Sequence, residues 1–223
     1  LDHLRFAMLV IATVLIAAGG YVINDILDVG TDAINKPGRV VIGREISEKT
    51  AYNLYMALTL TGVAIGYYLS DYIGRSNFVG IFIVSAWILY LYSSNFKQTP
   101  LVGNILISLL TGVCVVLPTL FDLIPFVNPE TRSVLASSFE IVFDFAVFAF
   151  VVNLIREIIK DMEDIEGDRR VGMNTAPIAF GIKKVKKAVC IFSIAFILAL
   201  LWYAYAYFFP SSLYISTGIL FTM

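Results

Sequence analysis

The sequence has little of what zinc or cysteine chemistry needs. Its 223 residues include one histidine, His3, and two cysteines, Cys114 and Cys190. Neither cysteine belongs to a CxxC pattern, and both lie within or beside apolar runs. That excludes a zinc signature and a disulfide framework, and leaves the thiols as small hydrophobes. Charge is scarce too, with Asp, Glu, Lys and Arg at 15% of the chain. No segment is of low complexity. The apolar runs are continuous and not alternating, which argues against a transmembrane β-barrel.

What is present is apolar. Hydrophobic residues make up 59% and the mean hydropathy is +0.83, against about 45–50% apolar in soluble domains. The fold class expected is all-α, a polytopic transmembrane helical bundle. A crossing helix needs about 20 apolar residues. Six runs qualify, at 4–23, 50–70, 77–94, 101–120, 134–156 and 188–209. A seventh begins near Ser212, after a tight turn expected at Pro210-Ser211-Ser212. The chain enters an apolar run almost at Leu1 and stops at Met223 partway through another. We therefore expect residues 1–223 to form a single transmembrane domain, truncated at both ends.

Basic residues fix sidedness. The segments after the first, third and fifth runs hold thirteen of the sixteen lysines and arginines, leaving only Arg5, Arg75 and Arg132 on the other side. By the positive-inside rule those segments are cytoplasmic. The long loops expected at 24–49 and 157–187 lie on that side, and each opens with acids.

The first acidic cluster is Asn24-Asp25-Ile26-Leu27-Asp28-Val29-Gly30-Thr31-Asp32, and the second runs from Asp161 to Asp168. Together they hold eight of the seventeen acids. If the first span continues helically, Asn24, Asp28 and Asp32 share one face and Asp25 points about 100° away. Gly30 is expected to loosen that helix end. Asp161, Asp164 and Asp168, spaced i, i+3, i+7, likewise share a face that Glu157 extends. Acids that only solvate helix ends would not need such alignment. Clustered carboxylates repel one another unless cations intervene, and all-oxygen ligands suit Mg²⁺. Lys36, Arg39, Lys97, Lys160 and Arg169 could neutralise phosphate charge left over by the metal. Acids, metal and bases at a membrane surface point to a diphosphate with a lipid tail. Lys183, Lys184, Lys186 and Lys187 read as topological charges.

These residues resemble the UbiA family of intramembrane prenyltransferases. Asn24 to Asp32 match its N-D-x-x-D-x-x-x-D motif, and Lys36-Pro37-Gly38-Arg39 its K-P-x-R segment. Gly43 and Ile46-Ser47 match the G-x-x-I-S continuation. Tyr92-Ser93-Ser94-Asn95-Phe96-Lys97 with Gly103-Asn104 is similar to its Y-S-x-x-L-K…G-N stretch. Asp161 to Asp168, followed by Gly172, Thr175, Pro177 and Gly181, matches its second aspartate region.

The resemblance implies a bundle of about nine helices around a central cavity. It implies two Mg²⁺ ions, held by Asn24, Asp28, Asp161, Asp164 and Asp168 with Asp25 and Asp32 in support. It implies a prenyl diphosphate donor, geranylgeranyl or similar, a lipophilic acceptor in the membrane, and release of diphosphate. Asp32 or Asp168 is expected to take the acceptor's proton. Lys36, Arg39, Lys97, Lys160 and Arg169 are expected on the diphosphate, and Tyr21, Tyr90 and Tyr92 beside the allylic cation. No nucleic acid is expected as a partner. The expected location is the cell membrane, multi-pass, with the site on the cytoplasmic side.

The segment Lys36 to Gly43 and the run Asp164-Ile165-Glu166-Gly167-Asp168 resemble members that prenylate geranylgeranylglyceryl phosphate. An aromatic quinone precursor is the next acceptor. Two other functions remain: a cation transporter using the acids, which would want them near mid-membrane, and a CDP-alcohol-type phosphatidyltransferase, whose motif lacks the leading Asn. Glu140 and Asp144 are i, i+4 in the outer half of the fifth run. They read either as functional intramembrane acids or as an interface residue and a helix-to-helix hydrogen bond.

Overall fold

The computed structural model describes residues 1–38 and 40–221, those from 208 onward by backbone alone. Among the described residues there is no strand. The helices are α1 (His3–Asn35), α2 (Glu48–Tyr72), α3 (Val79–Ser94), α4 (Val102–Leu123), α5 (Arg132–Glu163), α6 (Ile165–Arg170), α7 (Ala176–Phe180) and α8 (Ile182–Phe221). The all-helical expectation holds. The chain divides into two compact units, Leu1–Gly181 and Ile182–Met223.

In the first unit every one of the first five apolar runs is a helix. Four stretches are long and apolar enough to cross a membrane: His3–Asn35, Ser76–Ser94, Val102–Phe126 and Arg132–Glu163. The helix over the second run, α2, has 25 residues but falls short in hydropathy. Its Asn53, Thr59, Thr61, Gly62 and Gly66 dilute the apolar content. In the second unit α8 supplies a fifth such stretch, Ile182–Tyr207. Among the described residues five stretches therefore qualify by length and composition, where six and part of a seventh were expected. The turn expected at Pro210-Ser211-Ser212 is helical instead. Proline is tolerated inside membrane helices, where freed backbone groups find other partners.

Helix starts follow local chemistry. The Asp2 side chain caps α1 by accepting from the Arg5 amide, at 2.8 Å. Ser47 caps α2 by accepting from the Thr50 amide, at 3.2 Å. Each satisfies a backbone donor that the first helical turn leaves open.

Small residues let α1, α2 and α3 approach closely, the usual device where lipid removes the hydrophobic drive between helices. A Cβ on Gly62 would lie 2.7 Å from the Ile16 side chain, and one on Gly66 would lie 2.5 Å from the Phe82 ring. The main core, Leu9, Ala12, Ile16, Leu69, Phe82, Leu117 and Phe121, draws on α1 to α4. A smaller one joins Ile23 and Ile26 of α1 to Ala51 of α2. Ile23 and Ile26 occupy the α1 face turned away from the acidic motif, so packing on α2 fixes where the motif points. α5 packs along α4, and α6 packs on the end of α1.

Candidate active site

The acidic motif of α1 stays helical past Gly30, which does not loosen it, and runs to Asn35. Asn24, Asp25, Asp28 and Asp32 all line one cavity of about 680 Å³. Asp25 therefore is not turned away from its neighbours. A cavity this wide takes in more of the helix surface than one stripe.

The second motif is not one continuous face. α5 ends at Glu163, Asp164 caps it, and α6 begins at Ile165. Asn35 accounts for the break. Its amide nitrogen donates to the Asp164 carbonyl at 3.0 Å, and its amide oxygen accepts from the Gly167 backbone at 2.8 Å. Gly167 is close enough to Asn35 that any Cβ there would strike the amide. Asn35 thus ties the two acidic motifs together, a role that its sequence position did not reveal.

The carboxylates of the two motifs have different partners. Asp28 is only 3% exposed and forms an ion pair with Lys97. Asn24 donates to the same carboxylate at 2.5 Å, and its own carbonyl oxygen is buried without a partner. Asp164 pairs with Lys36 at 2.9 Å. Asp161 does not line the cavity and accepts from Asn104 at 2.8 Å. Asp168 is 2% exposed, with one carboxylate oxygen unpartnered. Burial pushes its carboxyl up to about 6, against the pull of Lys97. Asp161, Asp164 and Asp28 add to that upward push.

Lys36, Lys97 and Lys160 line the cavity, as do Tyr21 and Tyr92. Arg39 lies outside the described residues. Four expected site residues do not line the cavity: Asp161 and Asp168, described above, and Arg169 and Tyr90. Arg169 is exposed in α6 and does not line the cavity. Tyr90 does not line it either. On α3 the cavity residues are Ile81, Phe82, Ser85, Leu89 and Tyr92, and Tyr90 is exposed. One residue beyond Leu89 turns a helical side chain by about 100°.

Below the acids the walls are apolar, with Ile16, Ala17 and Gly20 of α1 and Ile107, Leu110, Val113 and Leu117 of α4. Val40, Val41 and Ile42 from the loop after α1 add an apolar rim. Sequence reading gave no site role to Asn153 or Arg156, yet both line the cavity beside Glu157. Their spacing with Lys160, i, i+3, i+4, i+7, was the available signal.

Asn104 reaches Asp161 because the chain before it is bent. Leu101 has φ 66°, and Gly103 sits against the Phe96 carbonyl, where a Cβ would come within 2.8 Å. A positive φ costs a branched non-glycine residue about 1–3 kcal/mol and persists only where packing over-determines it. Here the bend brings Lys97 and Asn104 to the same group of acids.

Among the described residues no three His, Cys, Asp or Glu side chains converge closely enough to hold a metal ion by themselves. The donor chemistry still suits a hard cation. All the donors are oxygen, and two of them, on Asn24 and Asp168, are buried and unpartnered. Mg²⁺ usually takes only one or two carboxylates, the rest of its shell being phosphate oxygen and water.

The chain is similar to named proteins over most of its length. A digeranylgeranylglyceryl phosphate synthase of Methanopyrus kandleri is 34% identical over 185 residues, 83% of this chain and 61% of the relative. Those of Thermococcus sibiricus and Korarchaeum cryptofilum are each 36% identical, over 81% of this chain and 58% of the relative. The chain thus spans about six-tenths of the length of these relatives. A solved structure concerning digeranylgeranylglyceryl phosphate synthase in membranes superposes with TM-score 0.59 and 28% identity, covering 91% of this chain and 66% of that one. The UbiA prenyltransferase family model matches residues 1–223. With the acids of the first motif and Asp164 of the second on one cavity among membrane-spanning helices, and a family match over residues 1–223, this multi-pass membrane chain belongs to the UbiA prenyltransferase family.

Proposed function

We propose that the protein transfers a geranylgeranyl group from its diphosphate to the free hydroxyl of geranylgeranylglyceryl phosphate. The observation that carries this reading is a single cavity with acids and lysines at one end and apolar walls at the other. Its relatives bear the name of the matching product. In the reaction, the bond from the prenyl C1 to the diphosphate oxygen breaks and an ether bond forms from C1 to the acceptor oxygen. The hydroxyl proton passes to a carboxylate, and diphosphate leaves.

Asn24, Asp25, Asp28, Asp161, Asp164 and Asp168 are the candidate holders of Mg²⁺, two ions by family resemblance. When bound, the metal would supply Lewis-acid stabilisation of the leaving diphosphate. Lys36 and Lys97, each now paired with a motif carboxylate, would turn to the diphosphate oxygens, with Arg39 as a third base. Asp32 lines the cavity and is the better placed of the two candidate proton acceptors. Asp168, buried behind it, would serve the metal. The apolar walls would hold the prenyl chain and keep water from the allylic carbon. Tyr21 and Tyr92 can present ring faces to developing positive charge. The uneven spread of basic residues supports a cavity mouth on the cytoplasmic side of the cell membrane.

The test is radiolabelled geranylgeranyl diphosphate with purified protein, offering geranylgeranylglyceryl phosphate beside aromatic quinone precursors. Ether product from the glyceryl phosphate alone, requiring Mg²⁺, is expected. Transfer only to an aromatic ring, or metal flux into proteoliposomes without prenyl diphosphate, would overturn the proposal.

A further inference from the structure

We infer a second anion subsite on the α5 wall, made by Arg156 and Lys160, that takes the phosphate monoester of the lipid acceptor. It rests on the reading above, adds Arg156 to it, and moves Lys160 from the donor diphosphate, where the family resemblance put it, to the acceptor phosphate. Asn153, Arg156, Glu157 and Lys160 form one polar stripe of α5 on the cavity. α1 packs on α2 and α3, whereas α5 packs on α4. The stripe therefore meets the cavity from a different wall than the α1 acids.

The bases of the two walls differ in their partners. Lys97 and Lys36 are held by Asp28 and Asp164, the carboxylates expected to serve the diphosphate. Lys160 makes no ion pair within 4 Å among the described residues. Arg156 is paired through one terminal nitrogen with Glu157, which is buried. That pairing anchors the guanidinium and leaves its other N–H groups for a ligand. Residues four apart on a helix stand about 5–6 Å apart at Cβ. A guanidinium and an ammonium at that spacing can both reach one phosphate monoester, Glu157 offsetting part of their charge and the planar fork offering bidentate bonding.

The substrate's own chemistry calls for such a site. In geranylgeranylglyceryl phosphate the reacting hydroxyl is on the carbon next to the one that bears the phosphate. The phosphate must therefore lie near the reacting oxygen, yet apart from the departing diphosphate, because like charges in a partly dry cavity repel. An aromatic acceptor without phosphate would leave Arg156 and Lys160 unused. These two residues are therefore specificity determinants.

The experiment uses the full chain in nanodiscs and measures KM separately for geranylgeranyl diphosphate and geranylgeranylglyceryl phosphate. Lys160→Met and Arg156→Gln should each raise the acceptor KM about tenfold, the loss of one charge-assisted bond, and leave the donor KM within about twofold. Arg156→Lys should recover part of the loss. Arg156→Gln strands the buried Glu157 carboxylate, so Lys160→Met and Arg156→Lys decide the matter if that variant does not fold. A rise in donor KM, equal rises in both, or wild-type values would overturn the subsite. If the wild type transfers nothing to the glyceryl phosphate, the functional reading fails. Calorimetric binding of geranylgeranylglyceryl phosphate against dephosphorylated geranylgeranylglycerol then tests the subsite alone. A phosphate preference lost in Lys160→Met supports it, and no preference overturns it.

Discussion

At the scale of single residues, the site is a set of buried charges that hold one another in place. Lys97 stands beside Asp28, and both are largely buried. Removing one partner of a buried pair costs about 3–5 kcal/mol, because the other charge is left uncompensated. Lys97→Met should therefore lower the melting temperature of metal-free protein, and added Mg²⁺ should restore more of it than in the wild type. Thermal unfolding in detergent, with and without Mg²⁺, checks this. Asp28→Ala and Asp164→Ala should abolish prenyl transfer in the radiolabel assay while the protein still elutes as a folded species.

Asp168 gives a pH dependence with a definite sign. Its carboxyl rises from 3.8 to about 6 on folding. Between those values the folded protein without metal binds a proton that the unfolded chain releases. Its contribution is most favourable below about 4 and is lost as the pH rises through 6. A cation that binds the carboxylate must displace the proton. Stabilisation by Mg²⁺ should therefore grow between pH 5 and pH 7, read as the shift in melting temperature at fixed metal concentration. A stabilisation that stays flat over that range would remove Asp168 from the metal site.

At the scale of elements, the join between α1 and α6 matters most. Two hydrogen bonds from Asn35 span it, each worth about 0.5–1.5 kcal/mol. Asn35→Ala should lower stability by about 1–3 kcal/mol and reduce transfer, since the second motif loses its tie to the first. Gly167→Ala should do the same by pushing on the amide. Gly19→Ala would press on Thr59 of α2, which does not line the cavity, and cost about 1–3 kcal/mol by overpacking. Comparing these variants in denaturation and in turnover separates a join that positions the acids from one that only stabilises. Gly19→Ala should change stability without a matching loss of transfer in the protein that remains folded.

At the scale of the whole molecule, orientation follows from the uneven placement of bases. With Cys114 and Cys190 replaced by alanine, a new cysteine at Glu166 should react with an impermeant maleimide only from the cytoplasmic side. One at Glu130 should react only from the other. The reverse pattern would turn the site outward.

Composition and apolar runs by themselves determined an α-helical membrane protein, because apolar stretches of about 20 residues have few other stable fates. Sequence spacing also found Asn24, Asp28 and Asp32 on one cavity, because i, i+4 and i+8 is a local property of one helix. The second motif was less legible. Its alignment assumed an unbroken helix, and the break at Asp164 depends on Asn35, 129 residues away in the chain. Tyr90 and Tyr92 were equivalent in sequence, and only the rotation of α3 against its neighbours separated them. The pairing of Lys97 with Asp28 and of Lys36 with Asp164, and the basic stripe on α5, were likewise decided by tertiary packing. Which residues a helix can align is written in its period, but which helix faces which is set by close packing at Gly62, Gly66 and Gly167 across distant parts of the chain.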